Sequence, residues 1–148
     1  MKLTSSAFEN NSIIPKKYGY NYGNISPPLE IKNIPEGTKS LVLIMDDPDA
    51  MEAVGKVWSH WILWNIPPET KEIKENSVPT NSFSGKNDFD EIGYGGPAPP
   101  DKEHTYVFKL FALKISINDR NLTNIELEKI IESNTISSSV LQGKFSPK

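Results

Sequence analysis

The chain has 148 residues, the usual size of one domain, and no cysteine, which excludes disulfides, thiolate metal sites and cysteine nucleophiles. Its net charge is −3, and of 16 Lys and Arg residues only Arg120 is arginine. That excludes the clustered bidentate arginines on which nucleic-acid and phosphopeptide readers rely. No window approaches the ~18 apolar residues of a membrane span. The N-terminal MKLTSSAFENNSII has no apolar stretch long enough for a signal sequence. The expectation is a soluble cytoplasmic protein forming a single domain over 1–148.

Twelve prolines and nine glycines punctuate short apolar runs, the texture of a mainly β sandwich. Segments 2–8, 13–20 and 28–35 read as strands or loops. Residues 41–45 (LVLIM) form a compact run with β-branched content, stopped by Asp46-Asp47-Pro48-Asp49, because proline cannot donate to a ladder. Residues 57–66 (VWSHWILWNI) are apolar on both faces, so this strand belongs between two packed layers. Residues 93–104 (GYGGPAPPDKEH) place glycines and then prolines ahead of a histidine, and lead into a third strand over 106–117 (YVFKLFALKISI). The only helix expected is 124–134. Thr123 and Glu126 form a capping box there, and Ile125, Leu127, Ile130 and Ile131 supply the apolar stripe. A turn or strand follows, up to Phe145.

Alternation along a strand places His60 on one face with Trp58, Ile62 and Trp64, and His104 with Tyr106, Phe108 and Leu110. Asp47 and Asp49 follow the end of another strand. Each feature has a commonplace reading: a core histidine, an Asp-Pro-Asp turn, a surface connection. Their coincidence at strand ends gives a second one. Two histidines, the Tyr106 hydroxyl and free N–H groups at Gly95 and Gly96 would suit a small anion. Asp47 or Asp49 would orient a histidine and raise its pKa, and Pro97 to Pro100 would form a rigid wall.

These residues carry a resemblance to the phosphatidylethanolamine-binding protein family, in its compact bacterial and archaeal branch, to which Raf kinase inhibitor protein is related. One block is Asp47-Pro48-Asp49-Ala50, Trp58-Ser59-His60-Trp61 and Asn65-Ile66-Pro67. The other is Gly93 to Pro100 followed by His104-Thr105-Tyr106-Val107-Phe108. The resemblance implies a sandwich of two antiparallel sheets with a few short peripheral helices. It implies a pocket for phosphate or a phospholipid head group such as phosphorylethanolamine, with no metal or other cofactor. Carried over residue by residue, that pocket comprises Asp47, Asp49, His60, Gly96, Pro97, His104 and Tyr106, with Trp58 as an apolar wall. Compact members often form homodimers. Met51 stands where relatives commonly have proline, which makes the rim looser or more apolar.

Three functions follow as expectations. The first is a small-anion-binding module that regulates a partner protein. The second is inhibition of a serine protease, with 76–92 as an exposed bait; the long C-terminal helix tied to kinase effects in animal relatives is shortened here. Catalysis is the third and is not expected. There is no Gly-x-Ser-x-Gly elbow, and Ser59 should face away from His60.

Overall fold

The computed structural model describes residues 1–147. In chain order its elements are β1 (Lys2–Thr4), β2 (Ser12–Ile13), a 3-10 turn (Lys16–Tyr18), β3 (Leu29–Lys32), β4 (Ser40–Asp47), α1 (Ala50–Val54), β5 (Trp58–Ile66), β6 (Glu72–Ile73), β7 (Phe83–Ser84), β8 (His104–Leu113), α2 (Asn124–Asn134) and β9 (Thr135–Phe145). A three-stranded sheet, β1-β3-β6, faces a six-stranded sheet, β2-β9-β8-β4-β5-β7. All pairings are antiparallel except β2 with β9. The mainly β sandwich expected from the sequence is the fold observed. No helix among the described residues is long and apolar enough to cross a membrane.

The main core lies between the sheets. Leu3, Leu29, Ile31 and Ile73 of the small sheet meet Leu43, Met45, Trp61, Leu63, Tyr106, Phe108 and Leu141 of the large one. A second cluster covers the opposite face of the large sheet, where Val42, Ile62, Trp64 and Leu113 pack under Leu127 and Ile131 of α2. The central strands are therefore buried on both faces, which is why 57–66 is apolar throughout.

Three boundaries differ from expectation. β4 continues through Asp46 and Asp47, which pair with Ser59 and Trp58. Asp46 tolerates the strand because Lys109 Nζ lies 3.0 Å from its Oδ2. The third strand begins at His104, paired with Phe145, and ends at Leu113, short of Ile117. The uncertain tail after α2 is an eleven-residue strand, β9, entered without any glycine cap. Instead the Thr135 hydroxyl donates to Ile131 O (2.6 Å) as the helix gives way to the strand. Serines 137 to 139 hide the strand pattern, yet Leu141, Gly143 and Phe145 alternate inward.

The expected helix is observed over Asn124–Asn134 with its capping box complete. Glu126 N donates to Thr123 Oγ1 (3.1 Å), and Thr123 N donates to Glu126 Oε1 (2.9 Å). Replacing Thr123 by Ala removes one cap and should lower the unfolding free energy by about 1 kcal/mol. Thr123→Ser should restore most of it. Urea denaturation of both variants checks this, and an unchanged midpoint for the alanine would show that the cap contributes nothing.

A candidate small-anion pocket at the end of the central strands

The pocket begins with an irregularity in β5. Met45 pairs with Trp61 but Asp46 pairs with Ser59, so His60 is the extra residue of a β-bulge. The bulge reverses the alternation. Trp61 and Leu63 face the main core, Ile62 and Trp64 face α2, and Ser59 lines a cavity on the α2 side with Asp46 and Leu127. His60 therefore does not share a face with Ile62 and Trp64, as simple alternation had it. With Trp58 it lines a cavity beside Tyr106. For β8, unbroken alternation holds: Tyr106, Phe108 and Leu110 all lie in the main core.

The cavity holds about 130 Å³ and is lined by Asp47, Ala50, Val54, Trp58, His60, Phe89, Ala98, Pro100 and Tyr106. Pockets for drug-sized molecules run to about 300–1,000 Å³, so this one admits a single small group. A wider groove of about 610 Å³ runs past Glu30, Lys32, Glu69 and Lys71. Its polar side chains reach solvent, and none is left with a buried, unpaired atom for a ligand to complete.

Four predicted residues, Asp47, Trp58, His60 and Tyr106, meet on the cavity wall. His104 is fully buried directly behind it. Its Nδ1 donates to Asp47 Oδ2 (2.6 Å) and its Nε2 to Asp101 Oδ1 (2.7 Å). Asp49 is exposed at the rim, where its carboxylate accepts from Thr105 N (2.8 Å). The glycine N–H groups are not free. Gly95 N donates to His60 O (2.9 Å) and Gly96 N to Asn24 Oδ1 (2.8 Å). Gly96 is glycine because a Cβ there would stand 2.1 Å from Tyr18 O, so the close approach is to the chain itself. Pro97 lends its carbonyl to Tyr20 N (2.9 Å), and the wall proper is Ala98 and Pro100.

Phe89 is the functional side chain that strand reasoning missed. It stacks on Tyr20 at 4.0 Å and meets Trp58 and His60 edge-on at 5.5 Å each. Buried Asn87 holds it there by accepting from Phe89 N and Glu91 N, while Asp88 accepts from Ser59 N (2.6 Å). Phe89 is the lone apolar residue in KNDFDE, and that was its only trace in the sequence. The short helix α1 was missed too. It turns Ala50 and Val54 into the cavity, while Met51 between them is half-exposed and does not line it.

The two histidines occupy opposite charge states. Burial pushes the His60 pKa down to about 4, and its Nδ1–H donates to Gly95 O at 2.6 Å. The ring is therefore neutral at pH 7 and its Nε2 is an acceptor. Burial also works against a charged His104, but the bonds to Asp47 and Asp101 outweigh it and raise the pKa above the ordinary 6.5. Burial raises Asp47 as well, against the pull of His104. The ring serves two carboxylates and Asp47 only one ring, so the proton belongs on His104. Tyr106 completes the group: its ring is 5.1 Å from that of His60, and its buried Oη lies near Asp47 and the Ala98 backbone but makes no hydrogen bond of regular geometry with either. Burial, then the charge of Asp47, pushes the phenol above its ordinary range, so it stays a donor.

Between pH 6.5 and about 4 the unfolded chain binds a proton at His60 that the folded protein refuses. Stability is therefore complete above pH 6.5 and falls as the pH drops through that window. From pH 7 to pH 5 the loss attributable to His60 is about 2 kcal/mol. His60→Asn sets an amide N–H at the Nδ1 position for Gly95 O but cannot be protonated. Its acid-side loss in unfolding free energy should be smaller by that amount; identical pH profiles would contradict a neutral His60.

The family model for phosphatidylethanolamine-binding protein matches residues 4–146. Among curated relatives, a UPF0098 protein of Pyrococcus abyssi is 41% identical, covering 100% of this chain and 86% of the relative. One from Chlamydia trachomatis is 37% identical over 98% of both chains. The solved structure of a phosphatidylethanolamine-binding protein homolog from Chlamydia trachomatis superposes with a TM-score of 0.90 at 36% identity, covering 97% of this chain and 95% of the other. Escherichia coli YbcL, described as a member of the mammalian family, gives 0.89 at 30% identity, with 99% and 98% covered. The chain belongs to the phosphatidylethanolamine-binding protein family.

Proposed function

We propose that the protein binds a small phosphate-type anion in this pocket and acts by binding, its occupancy being read by a partner protein. The observation that carries the reading is the Tyr106 hydroxyl, a buried donor with no partner beside a cavity of about 130 Å³. Leaving such a group unsatisfied costs about 1–3 kcal/mol, so something that accepts a hydrogen bond belongs there. Neutral His60 offers an acceptor at Nε2, and the Ala98 backbone faces Tyr106. With the buried, unpaired Trp58 Nε1–H of another lining residue, two donors and one acceptor suit a group that can both accept and donate. A phosphate monoanion does so through its remaining O–H, and it also meets less repulsion from Asp47 than a dianion would.

The same geometry favours binding over turnover in this reading. The Asp47 and Asp101 carboxylates are committed to His104, and Ser59, the nearest hydroxyl in sequence to His60, lines the cavity on the other face of the sheet. For the protease-inhibitor alternative, Asp88 and Phe89 of the 76–92 segment are held against the pocket rather than presented as bait. Proteases and kinases remain the partner classes that the resemblance implies, and a homodimer its assembly.

Titrating inorganic phosphate or phosphorylethanolamine at pH 6.5 should shift the His60 ring resonances saturably in the low millimolar range. Tyr106→Phe, which removes only the hydroxyl, should weaken binding about tenfold or more. Affinity for phosphorylethanolamine should rise from pH 8 to pH 6 as the second phosphate ionisation, near about 6, is crossed. No movement of either histidine at tens of millimolar ligand would refute the reading.

A further inference from the structure

We propose that Asp101 is a built-in competitor for the anion: its carboxylate occupies His104 Nε2–H, and ligand binding displaces it. The proposal rests on the anion reading above and concerns how that site is regulated.

The two carboxylates on His104 are not equivalent. Asp47 is a fixture. Its side chain is 4% exposed, it lies at the end of a central strand, and its second oxygen accepts from Asp49 N (3.0 Å). Asp101 lies in an irregular segment outside the strands, and its side chain is 40% exposed. It nevertheless approaches the ring as closely as a charge-assisted bond allows, at 2.7 Å. An imidazolium N–H on a fully buried ring is the strongest anion donor this pocket could offer. In the structure it faces an anion already, the carboxylate that the chain itself supplies.

Position makes the exchange feasible. Pro100, the residue before Asp101, is part of the cavity wall. Lys102, the residue after it, reaches across the mouth to Glu52 of α1 at 2.9 Å, with both side chains largely exposed. The strap from Pro100 to Lys102 therefore carries in turn a wall residue, a cap on His104 and a surface tie. The cap on His104 is the one side-chain hydrogen bond of Asp101 among the described residues, and Pro100 beside it is where movement of the strap would reach the cavity. The ring is buried and cannot keep a bare N–H, but the Asp101 side chain is 40% exposed, so water or an incoming anion can take its place and the exchange of one acceptor for another is nearly balanced. If the uncapped state is populated about one-fifth of the time, the apparent affinity of the site is lowered roughly fivefold.

The test is a titration of the full chain with inorganic phosphate at pH 6.0, following the His60 and His104 ring resonances, for wild type, Asp101→Asn, Asp101→Ala and Asp101→Glu. Thermal unfolding of each variant establishes that it is folded. Asn and Ala should bind roughly fivefold more tightly than wild type, Glu should not, and saturation of wild type should move His104 as well as His60. Equal or weaker binding by Asn and Ala, or saturation that leaves His104 unmoved, overturns the competitor role while the anion pocket stands. If no protein in the series binds phosphate, the pocket reading fails and takes the competitor with it.

Discussion

The buried bond between Asp47 and His104 is the constraint from which the rest of the pocket follows. It joins the last residue of one central strand to the first residue of its neighbour, at 2.6 Å and out of reach of solvent. A buried carboxylate alone would be too costly to keep, and so would a lone imidazolium. Together they let polar groups end two strands whose other residues fill the core. The strap between Pro97 and Glu103 must then return to place His104, which sets Ala98 and Pro100 against Tyr106. Cavity, wall and mouth are consequences of where that pair had to be put.

The same environment assigns the two histidines different tasks. Both rings are buried, and desolvation acts on both in the same direction. His60 meets only a carbonyl at Nδ1, so it yields its proton and becomes an acceptor toward the cavity. His104 meets carboxylates at both nitrogens, so it keeps its proton and neutralises the charge of the wall. A pocket with two imidazolium groups would be a strong general anion trap, whereas under the proposed function one neutral and one capped histidine would discriminate by hydrogen-bond pattern.

Much of this was legible in the sequence, for reasons that the misses make clear. β5 and β8 declare themselves because strands buried on both faces need apolar residues at every position. Thr123 and Glu126 announce their helix because a cap is a local device. The pocket's composition was half-legible: Asp47, Trp58, His60 and Tyr106 line it, while Asp49, Gly95, Gly96 and Pro97 hold its frame. What failed was any inference needing a partner from elsewhere in the chain. The bulge at His60 is set by pairing with β4, and the Gly95 and Gly96 donors are claimed by His60 O and Asn24. Phe89 comes from a polar loop whose fold depends on Asn87. For the bulge and the glycine donors, nothing within a few residues signals the outcome; for Phe89 the local turn at Asn87 does not reveal which surface the ring will meet.

The unpaired Tyr106 hydroxyl links stability to function. Three polar groups around it have partners that could not be removed cheaply: Asp47 on His104, His60 on Gly95 O, Asp88 on Ser59 N. Phenylalanine at 106 would fill the same space without a buried donor, so a fold selected for stability alone would favour it. Trp58 Nε1, on the same cavity wall, is likewise buried and unpaired. Two open donors thus belong to lining residues of one cavity, whereas the other buried unpaired atoms, Asp46 Oδ1, Ser59 Oγ and Trp61 Nε1, belong to residues that do not line it. A tyrosine there gains a regular hydrogen bond when something from outside accepts from its hydroxyl, which is why the proposed function treats that hydroxyl as a receptor rather than a packing defect.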